Sequence, residues 1–278
     1  MMKVSIIVAV YKDIQALDLI IKTLEYQTYK NFELVVAEDN NSEAMRNYTE
    51  SVKSIAIKHT SQEDIGVRKA RSQNNGVLAA EGELLIFIDG DCIPYSTFVA
   101  AHVALAKRGI VRSGRRLNLP SDLSQALREE RLASLELEKS FWRYAPKLLM
   151  DKEARFKQGI YLNPTGWIYQ TFIERQKRSS AILGCNFACF RDDMIAINGF
   201  DESYGESAVS DDMDLDWRFR AYGLKLKSCK NAANVFHLYH KAHDRGDASA
   251  QVALMRDRET KQEFICELGL STHSEQDI

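Results

Sequence analysis

The residues best suited to chemistry are Asp89 and Asp91, two apart in "LLIFIDGDCIPYS" with Gly90 between them. Two carboxylates at that spacing, on a turn leaving a buried strand, can converge on one cation or on a cation and its water. Hard cations such as Mg2+ or Mn2+ take oxygen ligands and favour sites completed by substrate phosphates. Glycine between the acids leaves room for a diphosphate to approach the backbone. A metal placed opposite phosphates neutralises charge that builds on a leaving group. The bland alternative is a polar turn with two solvated acids. An EF-hand is excluded, because its sixth loop position requires glycine and here holds Pro94.

A second acidic cluster, "GESAVSDDMDLDWRFR", supplies Glu206, Asp211, Asp212, Asp214 and Asp216. Ser210 or Asp211 can cap a helix there, and its dipole favours acids in the first turn. Asp212 and Asp216 share one helical face at i, i+4, where like charges repel. A crowded acid near a bound anion and metal can hold a pKa suited to a general base. "VFHLYHKAH" adds His237, His240 and His243. On a strand His237 and His240 point opposite ways, so only one of them is expected to join the aspartates on an ion.

These residues need a frame. "VSIIVAVY", "FELVVAED", "SIAIKH" and "ELLIFID" are apolar runs of strand length, separated by stretches of helical period. In the first such stretch Ile14, Leu17, Ile20, Ile21 and Leu24 form a stripe, with Asp13 as cap. Alternation of this kind predicts an α/β fold with a mostly parallel sheet, whose ligands bind beyond the carboxyl ends of the strands. Tyr11, Asp39 and Asp89 fall at those ends. From about 114 to 180 the alternation stops. Residues 141–180 hold eight basic, three acidic and eight aromatic side chains. They read either as a solvated insertion packed under the sheet or as a surface meeting an anionic or lipid-linked partner. Further strands are expected at "AILGCNFACFR", "LKLKSC" and "AANVFHLYH", and helices at "RDDMIAING", "SDDMDLDWRFRAYG" and 248–267.

The chain has 278 residues, 45% hydrophobic and 27% charged, enough for one large domain with a real core. A net charge of −2 gives no global basicity for nucleic acid. Five cysteines without a C-x-x-C pair favour a reducing compartment. No apolar run is long enough to span a membrane, and the opening run meets Asp13 too soon for a targeting segment. A cytoplasmic protein is expected, in place at the inner face of a membrane if 141–180 makes peripheral contact.

Taken together, the motifs resemble glycosyltransferase family 2, inverting enzymes of the GT-A fold. "VSIIVAVYKD" is similar to the family's opening strand and "ELVVAEDNNS" to its second strand. "GVRKARSQNNGVLAAEGELLIFIDGD" resembles the run into the D-x-D element. "GCNFACFRDDMIAINGFDESY" with "SDDMDLDWRFRAYG" resembles the part shared with galactosyltransferase-like members, and "VFHLYH" their closing histidine element. The resemblance implies a Rossmann-like sheet with flanking helices and a helical insertion. It divides the chain into a nucleotide-sugar-binding half (1–112), a basic and aromatic insertion (113–180), an acceptor and catalytic half (181–268) and a flexible tail (269–278).

The resemblance further implies that Tyr11 and Asp39 flank the nucleobase and that Arg71 holds the nucleotide side, although "ARSQNNG" departs from the usual spacing around Arg71 and Asn74. Asp89 contacts ribose or metal water, Asp91 ligates Mn2+ or Mg2+, and His237 is the late ligand. Gly184, Cys185 and Asn186 lie near donor sugar or acceptor. Asp211 replaces a glutamate before the base position, which Asp212 holds. The expected reaction moves a sugar, with inversion, from a UDP-sugar to a hydroxyl of a glycan or lipid-linked acceptor. A non-catalytic sugar-nucleotide or glycan-binding module is the main alternative. A nucleotidyltransferase is disfavoured because "YKDIQALD" lacks a glycine-rich loop.

Overall fold

The computed structural model describes residues 1–175, 180–206, 209–241 and 247–273, and of Ser210 and Asp211 only the backbone. Its strands are β1 (Val4–Val10), β2 (Phe32–Glu38), β3 (Ile57–Thr60), β4 (Leu84–Asp89), β5 (Cys92–Pro94), β6 (Ile110–Ser113), β7 (Arg115–Asn118), β8 (Asn186–Phe190), β9 (Lys225–Ser228) and β10 (Asn234–His237). Seven form one sheet in the order β3-β2-β1-β4-β8-β6-β9, and a smaller sheet runs β5-β10-β7. Strands β3, β2, β1 and β4 are parallel, while β8 enters antiparallel between β4 and β6. The mostly parallel α/β class expected from the alternation is observed.

The central strands are mostly apolar because both sheet faces are covered. Period two splits each strand between two cores. Leu84, Ile86 and Ile88 of β4 face one cluster, shared with Ile6 and Val8 of β1. Leu85 and Phe87 face the other, where Phe87 stacks on Phe187 at 4.6 Å between ring centroids.

Helices α1 (Ile14–Leu24), α2 (Glu43–Ser51) and α3 (Lys69–Ala79) make the crossovers, and α4 (Phe98–Leu105) follows β5. Asp13 caps α1 by accepting a hydrogen bond from Ala16 N at 3.0 Å. Leu17, Ile20, Ile21 and Leu24 are buried, each contributing about 1.5–3 kcal/mol of transfer free energy.

The 113–180 stretch is not a detached module. It supplies β7, then α5 (Ser121–Arg128), α6 (Ser134–Lys139), α7 (Phe141–Met150) and the short α8 (Trp167–Tyr169). Leu123, Leu127, Leu137, Phe141 and Leu148 join the same core cluster as β1 and α1.

Beyond β8 lie α9 (Arg191–Ala196), α10 (Leu215–Ala221) and α11 (Ser249–Lys261). The helix expected to be capped at Ser210 or Asp211 begins instead as a wider π turn over Ser210–Asp214. The tail expected from residue 269 also needs correction. Leu270 is buried, and His273 packs its ring between Asn75 and Glu202, so the chain is held through 273. Residues 274–278 of that expectation lie outside the described residues.

Candidate functional site

A cleft of about 700 Å³ opens beyond the carboxyl ends of β1, β2 and β4, with β7 and β10 on its other side. Tyr11, Asp39, Asp89, Asp91, His237 and His240 all line it. The crossover rule accounts for the first four, since parallel strands deliver their last residues to one edge.

Gly90 is needed for packing. Its backbone N–H donates to Ala9 O at 2.8 Å, and a Cβ there would sit 2.8 Å from that same oxygen. The turn is pressed onto the end of β1, so packing alone already requires glycine between the two acids.

That turn aims Asp91 at the end of β10. Its Oδ2 lies 3.2 Å from His237 Nε2 and 3.3 Å from His240 Nε2. One ligand atom from each of the three residues can be chosen so that all lie within 4.8 Å of one another. The expectation that the two histidines point apart is overturned. Strand geometry ends at His237; the chain then turns, with Leu238 N donating to Asp91 O and Tyr239 N to Ser124 Oγ, and His240 swings back to the same carboxylate. Period two holds only while the backbone stays extended.

The electrostatics follow. Burial alone would raise the Asp91 pKa, but the hydrogen bonds from His237 and His240 outweigh it and hold the carboxyl well below its usual range. The Asp91 hydrogen bond correspondingly raises His240. One anionic oxygen ligand and two imidazoles form a donor set that fits a divalent transition ion with open positions.

On the opposite side, Lys69 Nζ holds Asp89 at 2.6 Å. Asp39 is buried, receiving Gln62 Nε2 at 2.6 Å on one oxygen and Arg68 N at 2.7 Å on the other. Burial raises its pKa, and these two donors offset that only in part. Tyr11 is 53% exposed, and its hydroxyl meets Lys12 Nζ at 2.8 Å and Asp64 Oδ1 at 3.3 Å. Lys12 Nζ lies over its ring, 4.5 Å from the centroid.

Other expected site residues lie elsewhere. Arg71 and Asn74 turn away from the cleft toward Glu202, at 3.3 and 2.8 Å, because Lys69 and Ser72 occupy the cleft face of α3. Asn186 is fully buried; its amide donates to Arg115 O and Ala233 O and its oxygen faces His102, so it braces two sheets. Asp212 accepts a hydrogen bond from Gly184 N, while Asp216 accepts from Ile182 N at 3.0 Å. The i, i+4 acids therefore clamp one backbone segment, which answers their mutual repulsion. Neither Asp212 nor Gly184 lines the cleft. Asp214 is wholly buried, bonded to Tyr204, Trp217 and Arg218. The Asp211 side chain lies outside the described residues.

Residues the sequence reading missed include Asp64, Lys69, Arg116 and Arg128, all on the cleft wall. Arg128 pairs with Asp13 across 115 positions of sequence, at 2.9 and 2.7 Å. No local pattern signals such a pair. For Lys69 a signal existed: Lys69 and Ser72 are spaced i, i+3 at the start of a helix feeding a ligand edge.

Residues 5–169 match the family model described as Glycosyl transferase family 2, and residues 170–241 match the N-terminal domain of galactosyltransferase. Validoxylamine A glucosyltransferase of Streptomyces hygroscopicus subsp. jinggangensis (strain 5008) is 32% identical over 114 residues, 38% of this chain and 27% of that enzyme. Its counterpart in subsp. limoneus is also 32% identical over 114 residues, 38% of this chain and 25% of its own length. The aligned segment thus spans about a quarter of these relatives. Among solved structures, the mannosyltransferase PcManGT from Pyrobaculum calidifontis, in complex with GDP-Man and Mn2+, superposes with a TM-score of 0.55 at 16% identity, covering 94% of this chain and 63% of that one. S. aureus TarS 1-349 in complex with UDP-GlcNAc gives 0.56 at 14% identity, covering 97% and 69%. At such identities these likenesses speak for the fold.

Proposed function

The chain belongs to Glycosyl transferase family 2, and on that premise we propose that it transfers a sugar from a nucleotide-sugar donor, of the UDP-sugar class, to a hydroxyl of a glycan or lipid-linked acceptor. The observation that carries this reading is the convergence of Asp91, His237 and His240 at the ligand edge of the sheet. Structural neighbours complexed with GDP-Man and with UDP-GlcNAc support a nucleotide-sugar donor. A cation on this triad would neutralise the diphosphate as it departs, and two imidazoles favour Mn2+ over Mg2+, which prefers oxygen ligands.

The protein groups then divide the work. Tyr11 offers a face to the nucleobase beside Asp39, and Asp89, held by Lys69, faces the ribose. Asp212 is the proposed base: it takes the acceptor hydroxyl proton as that oxygen attacks the anomeric carbon. The bond from that carbon to the diphosphate breaks on the opposite side, so the product is inverted. Topology supports a base near the cleft. Asp212 is tied to Gly184, two residues before Asn186, and Asn186 pairs with Ile88 just ahead of Asp89.

Slow release of UDP from UDP-sugars in the presence of Mn2+ tests the reading. Absence of both turnover and metal-dependent binding with every UDP- and GDP-sugar would sink it. Binding without turnover would instead favour the non-catalytic module, the reading that Asp212's engagement with Gly184 outside the cleft lining keeps open.

The reading extends to a lipid surface. No helix among the described residues is long and apolar enough to cross a membrane. Yet α7 buries Phe141, Ala145 and Leu148 while exposing a second stripe of Trp142, Pro146 and Leu149, with Met150 beside it. Trp142 is 67% and Leu149 63% exposed, and Arg143 and Lys147 flank them. An apolar stripe edged by cations suits an anionic bilayer surface, where a lipid-linked acceptor would sit.

A further inference from the structure

Among the described residues Lys69, Arg116 and Arg128 line the cleft beside its acids, and two of these three are engaged by the protein. Lys69 holds Asp89, and Arg128 holds Asp13 through both terminal nitrogens. Arg116 differs. No hydrogen bond or ion pair links it to any described residue, and its Nε is closed off from solvent without an acceptor. Asp89 and Asp91 attract it through space, which does not satisfy its N–H donors. A partly buried guanidinium without acceptors is costly unless a ligand supplies them.

The small sheet fixes where this group points. Strands β7 and β10 pair in parallel, with Arg116 opposite Val235 and Asn118 opposite His237. Partners across a ladder project to one face, and residues two apart on a strand share it. Arg116 and His237 therefore stand on the same face of the sheet, one step apart along it. The cleft receives both side chains.

We propose that Arg116 is a diphosphate-binding residue: its planar fork grips oxyanions of the donor's diphosphate beside the Asp91–His237–His240 cluster. The assignment rests on reading the cleft as a nucleotide-sugar site. A guanidinium fork matches two phosphate oxygens and remains charged at any working pH. As the anomeric carbon–oxygen bond breaks, charge grows on the diphosphate, and Arg116 stabilises it; a cation held by Asp91, His237 and His240 would act in parallel.

The test uses inorganic pyrophosphate with Mn2+ as probe, titrated calorimetrically into the whole chain, alongside UDP and uridine. Arg116→Gln is expected to weaken pyrophosphate and UDP by about tenfold or more, the scale of a charge-assisted hydrogen bond, while uridine changes less than about twofold. Arg116→Lys, which keeps charge and loses the fork, should fall between the two; it also serves if the glutamine variant fails to fold. Pyrophosphate affinity unchanged in both variants overturns the assignment while leaving the nucleotide-sugar reading intact. Wild-type binding of pyrophosphate but of no nucleoside diphosphate would reject that reading and retain the oxyanion role. Binding of neither removes both.

Discussion

His240 Nε2 lies 3.3 Å from Asp91 Oδ2, the oxygen that His237 also reaches, although the two histidines are three residues apart on what sequence suggests is one strand. This convergence makes a three-residue cluster, able to hold a cation, from residues that period-two reasoning separates. It also yields the first prediction. Asp91→Ala should abolish the Mn2+ dependence of nucleotide binding. His240→Ala should weaken Mn2+ affinity at least about tenfold, the scale seen when even supporting groups of a metal site are removed. Calorimetry with Mn2+ and UDP reads both, and unchanged Mn2+ affinity in the His240 variant would take that residue out of the cluster.

Asp212→Asn tests the base. Turnover should drop by about a hundredfold to ten-thousandfold, the usual contribution of a positioned base, with UDP affinity nearly unchanged. Asparagine keeps an acceptor for Gly184 N, so the backbone clamp survives. Near-normal turnover would assign the base elsewhere.

His102 gives a pH prediction for stability. Its ring is fully buried on α4, Nε2 faces Asn186 Oδ1 at 3.2 Å and Nδ1 has no partner among the described residues, so burial pushes its pKa down to about 3. The unfolded chain, with a histidine pKa of about 6.5, binds more protons between those two values. Stability contributed by neutral His102 is thus present above about pH 6.5 and is lost as pH falls toward 3, at up to about 1.4 kcal/mol per unit. His102→Gln should flatten the change in urea midpoint between pH 7 and pH 5, where unfolded carboxylates barely titrate. An equally steep loss in the variant would refute this account.

The buried Asp214–Arg218 pair, 3.0 Å apart, is predicted to matter for folding and not for chemistry. Asp214→Ala leaves the Arg218 charge buried without its carboxylate and should cost about 3–5 kcal/mol in chemical unfolding. A loss below about 1 kcal/mol would show that the carbonyls of Gly199 and Phe264, which Arg218 also contacts, suffice.

Trp142→Ser combined with Leu149→Ser should reduce cosedimentation with anionic liposomes without lowering the thermal midpoint, since both side chains are mostly exposed. Wild-type cosedimentation no better than on neutral liposomes would remove the membrane contact at α7.

The alternating apolar runs and the acids at their ends were readable in the linear chain, because strand burial and the parallel crossover rule act through local patterning. Asp13 as cap, β1 through β4 and the placement of Tyr11, Asp39 and Asp89 at one edge all follow from it. Asp91 and His237 were legible as individual candidate ligands, while the inward turn of His240 was not, since it depends on contacts from Leu238 and Tyr239 to remote segments. Arg71 lies two residues beyond Lys69 on α3, a helical phase that gives the cleft face to Lys69 and Ser72.

What the sequence determined by itself was the type of sheet and the edge where ligands gather, since hydrophobic period and strand order constrain both. Which side chains meet there was decided only in three dimensions. Arg128 reaches Asp13 and Arg116 shares a face with His237 through pairings more than 110 positions apart, and Asn186 is diverted into bracing the core. Such contacts depend on how the small sheet packs against the large one, and no local propensity encodes that packing.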